Sequence, residues 1–230
     1  WLMFGGDKLS KSKKTDQKEC IDPRILAPRY SSDAIRYFLY REIPFGYDGN
    51  YSTEAFLTRF NSDLSNNFGN LVSRTFSMVK KYFDSVIPES YELSDDDQAL
   101  KDYVLNETKE VFKHMEKYDL PKATTSIFNI FTEANTYIQK AQPWAVAKTG
   151  DEKRLKTILR CLLETIRIGG ELFEPFAPNS SRKVLDALGI EKGEFKNLDN
   201  FDGLESGREL KSLDILFPRL DVQAELETLS

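Results

Sequence analysis

Between residues 52 and 188 the apolar side chains recur at spacings of three and four, the period of an α-helix, almost without interruption. The longest such run opens at Ser52 or Thr53, either of which suits an N-cap, and carries Phe56, Leu57, Phe60, Leu64, Phe68, Leu71, Val72, Phe76, Val79 and Phe83 on one face. A second run, Asp95 to Tyr118, has Leu100, Val104, Val111, Met115 and Tyr118 as its stripe. A third begins at Pro121, passes through Ile127, Ile130, Phe131, Ala134 and Ile138, and is expected to stop at Pro143. A fourth follows Asp151 and carries Leu155, Ile158, Leu159, Leu162, Ile166 and Phe173; a short fifth runs from Pro178 to Leu188, before Gly189. Upstream, DAIRYFLYREI (Asp33 to Ile43) predicts one short helix, and PFGYDGN breaks it.

Long amphipathic segments joined by short connections predict an all-α fold, an antiparallel helical bundle. No alternating stretch is long enough to build a competing sheet. The apolar WLMF of Trp1 to Phe4, ending at Gly5 and Gly6, reads as a short strand, the last of a larger sheet, and predicts that the chain is a fragment. The expected division is residues 1–50, a strand, loop and connecting segment, and residues 51–230, the bundle. Beyond residue 190 the sequence is read as loop-rich up to LDILFPRL.

With 40% hydrophobic and 30% charged residues in 230, there is material for a sizeable core and a solvated exterior. No apolar run approaches the roughly 20 residues that cross a bilayer, and no secretory leader is evident, so a cytoplasmic protein with no membrane partner is expected. Cys20 and Cys161 stand far apart without metal-ligand spacing, which predicts idle thiols and no metal site. The net charge of −5 argues weakly against a nucleic-acid partner. Its distribution weakens that argument, because residues 191–230 hold ten acidic and five basic side chains and the remainder is balanced. The acidic tail is expected to sit away from any phosphate.

Three features carry candidate chemistry. The stretch GGDKLSKSKKT (Gly5 to Thr15) sets lysines 8, 11, 13 and 14 among Ser10 and Ser12. It is either a solvated basic loop or a polyphosphate clamp, since ammonium groups three residues apart can reach different oxygens of a triphosphate; it lacks the glycine pattern of a P-loop. On the long helix Asp63, Asn66, Asn70, Arg74, Ser77 and Lys81 step along one polar face, so Asn70 and Arg74 lie one turn apart. That face is either an ordinary wet surface or an amide and guanidinium able to read bases. Trp144, in QPWAVAK, is either a core plug or a ring offered for base stacking.

Lys8-Leu9-Ser10-Lys11-Ser12 resembles the KMSKS signature of class I aminoacyl-tRNA synthetases. It is followed by Asp22-Pro23, DAIRYFLYREIPFGYDGNYS, a helix containing NNFGNLVSR, ANTYIQKAQPWAVAK and the closing LFPRL. That order of motifs over nearly the whole chain resembles the methionyl-tRNA synthetase branch. Leucyl, isoleucyl, valyl and cysteinyl enzymes share the loop and bundle but fit the NLVSR and QPW pair less well; a non-catalytic tRNA-binding helical protein is the rival from another class. The resemblance implies a methionine-tRNA ligase that uses ATP, with magnesium, as substrate to activate methionine and transfers it to tRNA(Met). Lys8 and Lys11 would serve catalysis; Lys8, Ser10, Lys11 and Ser12 would contact ATP; Asn70, Arg74 and Trp144 would read the anticodon. Residues 21–50 would link the two sites. Leu9 replaces the usual methionine, and Lys14 and Thr15 follow where glycine and asparagine are usual. The companion HIGH signature needs two histidines and the sequence has only His114, which is expected on a helix surface. The nucleotide-binding half, with its methionine pocket and zinc-bearing insert, is therefore expected to be missing, and the chain to bind no cofactor and activate no methionine unaided.

Overall fold

The computed structural model describes residues 2–4, 7–8, 22–191 and 198–229. At its N-terminal end is a small sheet in the order β2-β1-β3. β1 (Leu2–Phe4) pairs antiparallel with β2 (Asp7–Lys8) and parallel with β3 (Gly49–Tyr51). A parallel pair requires a crossover, and α1 (Pro23–Tyr30) and α2 (Ser32–Glu42) lie within it. The sequence pattern yields α2 but neither α1 nor β3. Pro23 occupies the first turn of α1, where no hydrogen bond is lost, and Asp22 caps it by accepting the Arg24 N–H at 2.8 Å. β3 has three residues, too few for a period, and straddles position 50, where the sequence reading divides the chain. Gly49 is required there because a Cβ would stand 2.3 Å from the Ile43 side chain.

From β3 the chain enters one continuous helical rod through Ser52, whose hydroxyl accepts the Ala55 N–H at 3.3 Å. The rod is α3 (Thr53–Arg59), a π-helical stretch (Phe60–Gly69) and α4 (Asn70–Phe83). The single helix predicted over this span is present, but its middle is wound differently. In a π-helix each N–H reaches the fifth carbonyl back, so the turn widens. Leu64 and Ser65 consequently both fall inside while Phe60 and Phe68 keep their places in the core. Gly69 closes the widened turn, where a Cβ would stand 2.9 Å from the Leu64 carbonyl oxygen.

Four further segments complete the bundle. α5 (Asp95–Glu116) starts from a reciprocal cap between Ser94 and Asp97, α6 (Leu120–Ala141) from Asp119, and α8 (Glu152–Phe173) from Asp151. α9 (Pro178–Leu188) packs against α8. Pro143 does not simply terminate α6: Gln142 turns left-handed at φ 45 and Pro143 opens a separate helix, α7 (Pro143–Thr149). α5 and α6 pack on each other and on α8, and the rod lies against α6 and α8. Their shared interior is aromatic, with Phe68 on Phe131 at 4.7 Å between ring centroids, Tyr37 on Phe128 at 4.7 Å and Phe173 on Phe128 at 5.3 Å. Gly169 admits the Phe131 ring, which would lie 2.4 Å from any Cβ there.

α8 departs from the amphipathic reading. Every residue from Thr157 to Phe173 is buried, including Arg160, Glu164, Arg167 and Glu171. These four form a ladder covered by the later chain: Arg160 pairs with Asp202 at 2.7 Å, Glu164 accepts from the Leu204 N–H at 2.8 Å, and Arg167 donates to Glu164 at 2.7 Å and to Glu171 at 3.0 Å. Burial is thus offset by pairing.

The C-terminal segment is not a remote tail. Val86 and Glu209 form a bridge, residues 209–216 run beside α4, Phe217 packs on Phe60 at 5.7 Å, and the Asn61 amide holds both the N–H and the C=O of Leu220 at 2.9 Å. A helix absent from the sequence reading, α10 (Val222–Leu229), returns to α3, and its Glu225 reaches the end of α1, accepting the Tyr30 hydroxyl and pairing with Arg29 at 2.8 Å. No described helix is long and apolar enough to cross a membrane. His114 lies in the last turn of α5 with its side chain 20% exposed, partly sheltered rather than fully on the surface.

Candidate nucleic-acid interface

Asn70 is the first residue of α4 and is exposed; Arg74 stands one turn later, half-buried. Trp144 is the second residue of α7, distant in sequence, and the left-handed turn at Gln142 swings it toward α4. The Arg74 guanidinium carbon lies 5.8 Å from the centre of the Trp144 ring, within cation–π reach. Trp144 is half-buried, resting partly on the core and partly open. The two sequence readings of this tryptophan, core plug and accessible ring, therefore each describe one part of it. Among the described residues neither the Asn70 amide nor the Arg74 guanidinium has a hydrogen-bonding or ion-pairing partner, so both keep donors free for a ligand.

The direction in which Asn70 and Arg74 point depends on the phase of α4, which the π-helical stretch sets. The Asn70 N–H donates to the carbonyls of Asn67 and Ser65 as the chain leaves that stretch. Asn135 of α6 donates to the Asn67 carbonyl at 3.3 Å and to its side-chain oxygen at 2.9 Å, while the Asn67 amide donates to Thr132 at 2.8 Å. α6 thereby clamps the rod where π-winding gives way to α-winding. Sequence reasoning missed Asn67 and Asn135. The doubled asparagine before Gly69 was visible, but nothing in spacing alone shows that two amides from separate helices meet.

A buried polar cluster braces the same end of the bundle. Asp97, from the first turn of α5, is bound by Arg154 of α8 and by the Tyr137 hydroxyl of α6, the latter at 2.5 Å. Burial works to raise the Asp97 carboxyl, but the hydrogen bonds from Arg154, Tyr137 and Ser94 outweigh it and hold the group below the usual carboxylate range. Burial also pushes the neighbouring Cys161 thiol up to about 12, making it an unreactive core residue.

At the other end, the backbone of Lys8 lies in β2 opposite Met3. Ser10, Lys11 and Ser12 lie outside the described residues. What the fold does show is connection: β2 is hydrogen-bonded to β1, β1 to β3, and β3 leads through Ser52 directly into the rod that carries Asn70 and Arg74. Thr53 and Asn70 lie at the two ends of the α3 and π-helical part of that rod.

Two family models match the chain. One, described as the anticodon binding domain of methionyl tRNA ligase, covers residues 87–228, and the other, tRNA synthetases class I (M), covers residues 1–76. The chain is 42% identical over its whole length to a methionine–tRNA ligase of Caldanaerobacter subterraneus subsp. tengcongensis, of which it covers 36%, and 38% identical to one of Clostridium tetani, of which it covers 35%. It spans about a third of the length of these curated relatives. Among solved structures it is similar to the apo form of Mycobacterium tuberculosis methionyl-tRNA synthetase, at 36% identity and a TM-score of 0.81 over 87% of this chain and 41% of that one. A structure of the same enzyme bound by methionyl-adenylate matches at 33% identity and a TM-score of 0.82, over 94% of this chain and 43% of that one. Both family descriptions specify the methionyl branch and not the leucyl, isoleucyl, valyl or cysteinyl branches.

Proposed function

The chain belongs to the methionyl-tRNA ligase anticodon-binding family, and from that premise we propose that it is the part of a methionine-tRNA ligase that recognises the CAU anticodon of tRNA(Met) and supplies a lysine loop to the ATP site. The observation that carries the reading is the approach of the Arg74 guanidinium to the Trp144 ring, with the unpaired Asn70 amide one turn away. An unpaired RNA loop can splay its bases, and an indole, a guanidinium and an amide are the groups suited to them. The exposed part of Trp144 stacks on a base; Arg74, held over the same ring, adds charge and planar donors; Asn70 offers a paired donor and acceptor to a base edge.

In the complete ligase the substrates would be methionine, ATP and tRNA. Lys8 and Lys11, with Ser10 and Ser12, would engage the triphosphate while methionine is joined to adenylate and pyrophosphate leaves. Cations that engage as negative charge develops lower the barrier more than they stabilise the ground state. The two functions are separable by mutation. In the complete enzyme Lys11→Ala slows adenylate formation by on the order of a hundredfold with tRNA affinity retained. Trp144→Ala does the reverse, weakening tRNA binding by about 1 to 3 kcal/mol while methionine-dependent pyrophosphate exchange is unchanged. The same kinetic defect from both substitutions would contradict this division.

A further inference from the structure

Beside the Arg74 and Trp144 pair, on the other flank of α4, lies a cleft of about 320 Å3 walled by α4 and by residues 209–216. No described side chain fills it. We infer that this cleft is a second RNA subsite, receiving one unstacked nucleotide of the same loop from outside the triplet read at Asn70, Arg74 and Trp144. The inference rests on the anticodon-binding reading and extends it to a neighbouring position of the RNA.

Placement is the first argument. Ser73 and Ser77 line the cleft, and Ser73 adjoins Arg74 in sequence. Neighbouring residues of a helix point about 100° apart, so Ser73 faces to one side of Arg74, while Ser77, on the same polar stripe as Asn70 and Arg74, is shared between that stripe and the cleft wall. An RNA strand seated on Trp144 has only the width of one helix to cross, about 10 Å, before it reaches the cleft. The second argument is chemistry. The floor includes Phe76 and Leu213, suited to the face of a base, and the Ser73 and Ser77 hydroxyls can donate to or accept from a base edge or a ribose. Lys80 and Lys211 also line it, both exposed and without an acidic partner among the described residues, and so are available to a phosphate. Glu209 and Asp214 line it too; their carboxylates disfavour a phosphate beside them but accept from an exocyclic amine or a 2′-hydroxyl. The site therefore suits a whole nucleotide, with apolar face, polar edge and phosphate at different points, better than a free anion. At the lip Ile215 is 73% exposed, an apolar side chain that nothing in the described chain covers. A volume of this order sits at the small end of ligand sites, of which the usual range is roughly 300 to 1,000 Å3.

The test uses this chain and RNA stem-loops carrying CAU, intact or with one loop base at a time replaced by an abasic residue. In the unaltered protein, at least one abasic position outside the triplet should lower affinity by about tenfold. Ser77→Trp, at an exposed position where the indole occupies the cleft, should lower affinity for the intact loop by a similar factor and abolish sensitivity to that abasic position. Lys80→Glu should weaken all the loops and flatten the salt dependence. Unchanged affinity of Ser77→Trp for the intact loop, or neutrality of every abasic position outside the triplet, overturns the subsite. Trp144→Ala, measured alongside, separates the two ideas: if it weakens binding while Ser77→Trp does not, only the subsite falls, and if Trp144→Ala has no effect the parent reading falls with it.

Discussion

At the scale of single residues, the proposed recognition depends on groups whose chemistry cannot be exchanged for something merely similar. A guanidinium is planar and can lie over an indole while keeping its donors directed outward, whereas an ammonium is a compact point charge. Arg74→Lys keeps the charge but gives up the planar stack with Trp144. Affinity for a CAU stem-loop should fall by about 1 kcal/mol while the slope of affinity against salt is preserved, because the number of cations facing phosphate is the same. A titration at several salt concentrations checks both halves of that expectation. Asn70 and Arg74 were legible on one face from their spacing alone. The partnership of Arg74 with Trp144 was not, because it depends on the left-handed turn at Gln142, a residue with no sequence mark of that conformation.

At the scale of elements, the phase of α4 follows from the ten residues wound as a π-helix before it. Gly69→Ala places a Cβ 2.9 Å from the Leu64 carbonyl, against backbone that cannot swing aside. Chemical denaturation should show a loss of about 1 to 3 kcal/mol, accompanied by weaker binding of the anticodon loop as Asn70 and Arg74 rotate out of register with Trp144. An unchanged midpoint with unchanged binding would mean that the wide turn is not what sets the phase. The long helices were readable because the core selects one face of each, so the period survives in the sequence. α1 and α7 were not, since each is short and opens on a proline that also reads as a stop. The charges of α8 imply a wet face by pattern; only the return of residues 200–206 shows that they are covered.

At the scale of the whole molecule, the three-stranded sheet at one end is joined by a single rod to the surface proposed for recognition at the other, and the C-terminal segment ties the two by running from α4 back to α1 and α3. The Asp97 cluster holds α5, α6 and α8 together at the end of the bundle that carries Trp144. Because the folded state depresses the Asp97 carboxyl, its stabilisation is fully present above the unfolded-state value near 3.9 and is lost as pH falls through the lower folded value. Arg154→Met should therefore destabilise the chain by on the order of 3 kcal/mol at neutral pH, where it strands a buried carboxylate, and by less as pH approaches 4 and that carboxylate of the variant is neutralised. Urea denaturation at the two pH values checks this, and an equal gap at both would contradict it. The claim on which the rest depends is that this chain reads bases and does not merely attract phosphate. Its most direct test is equilibrium binding of the chain to two stem-loops that differ only at one base of CAU, at one stated salt concentration. The account predicts at least a tenfold preference for CAU that disappears in Asn70→Ala, whereas Trp144→Ala weakens both loops; equal affinity of the unaltered chain for the two loops would contradict it.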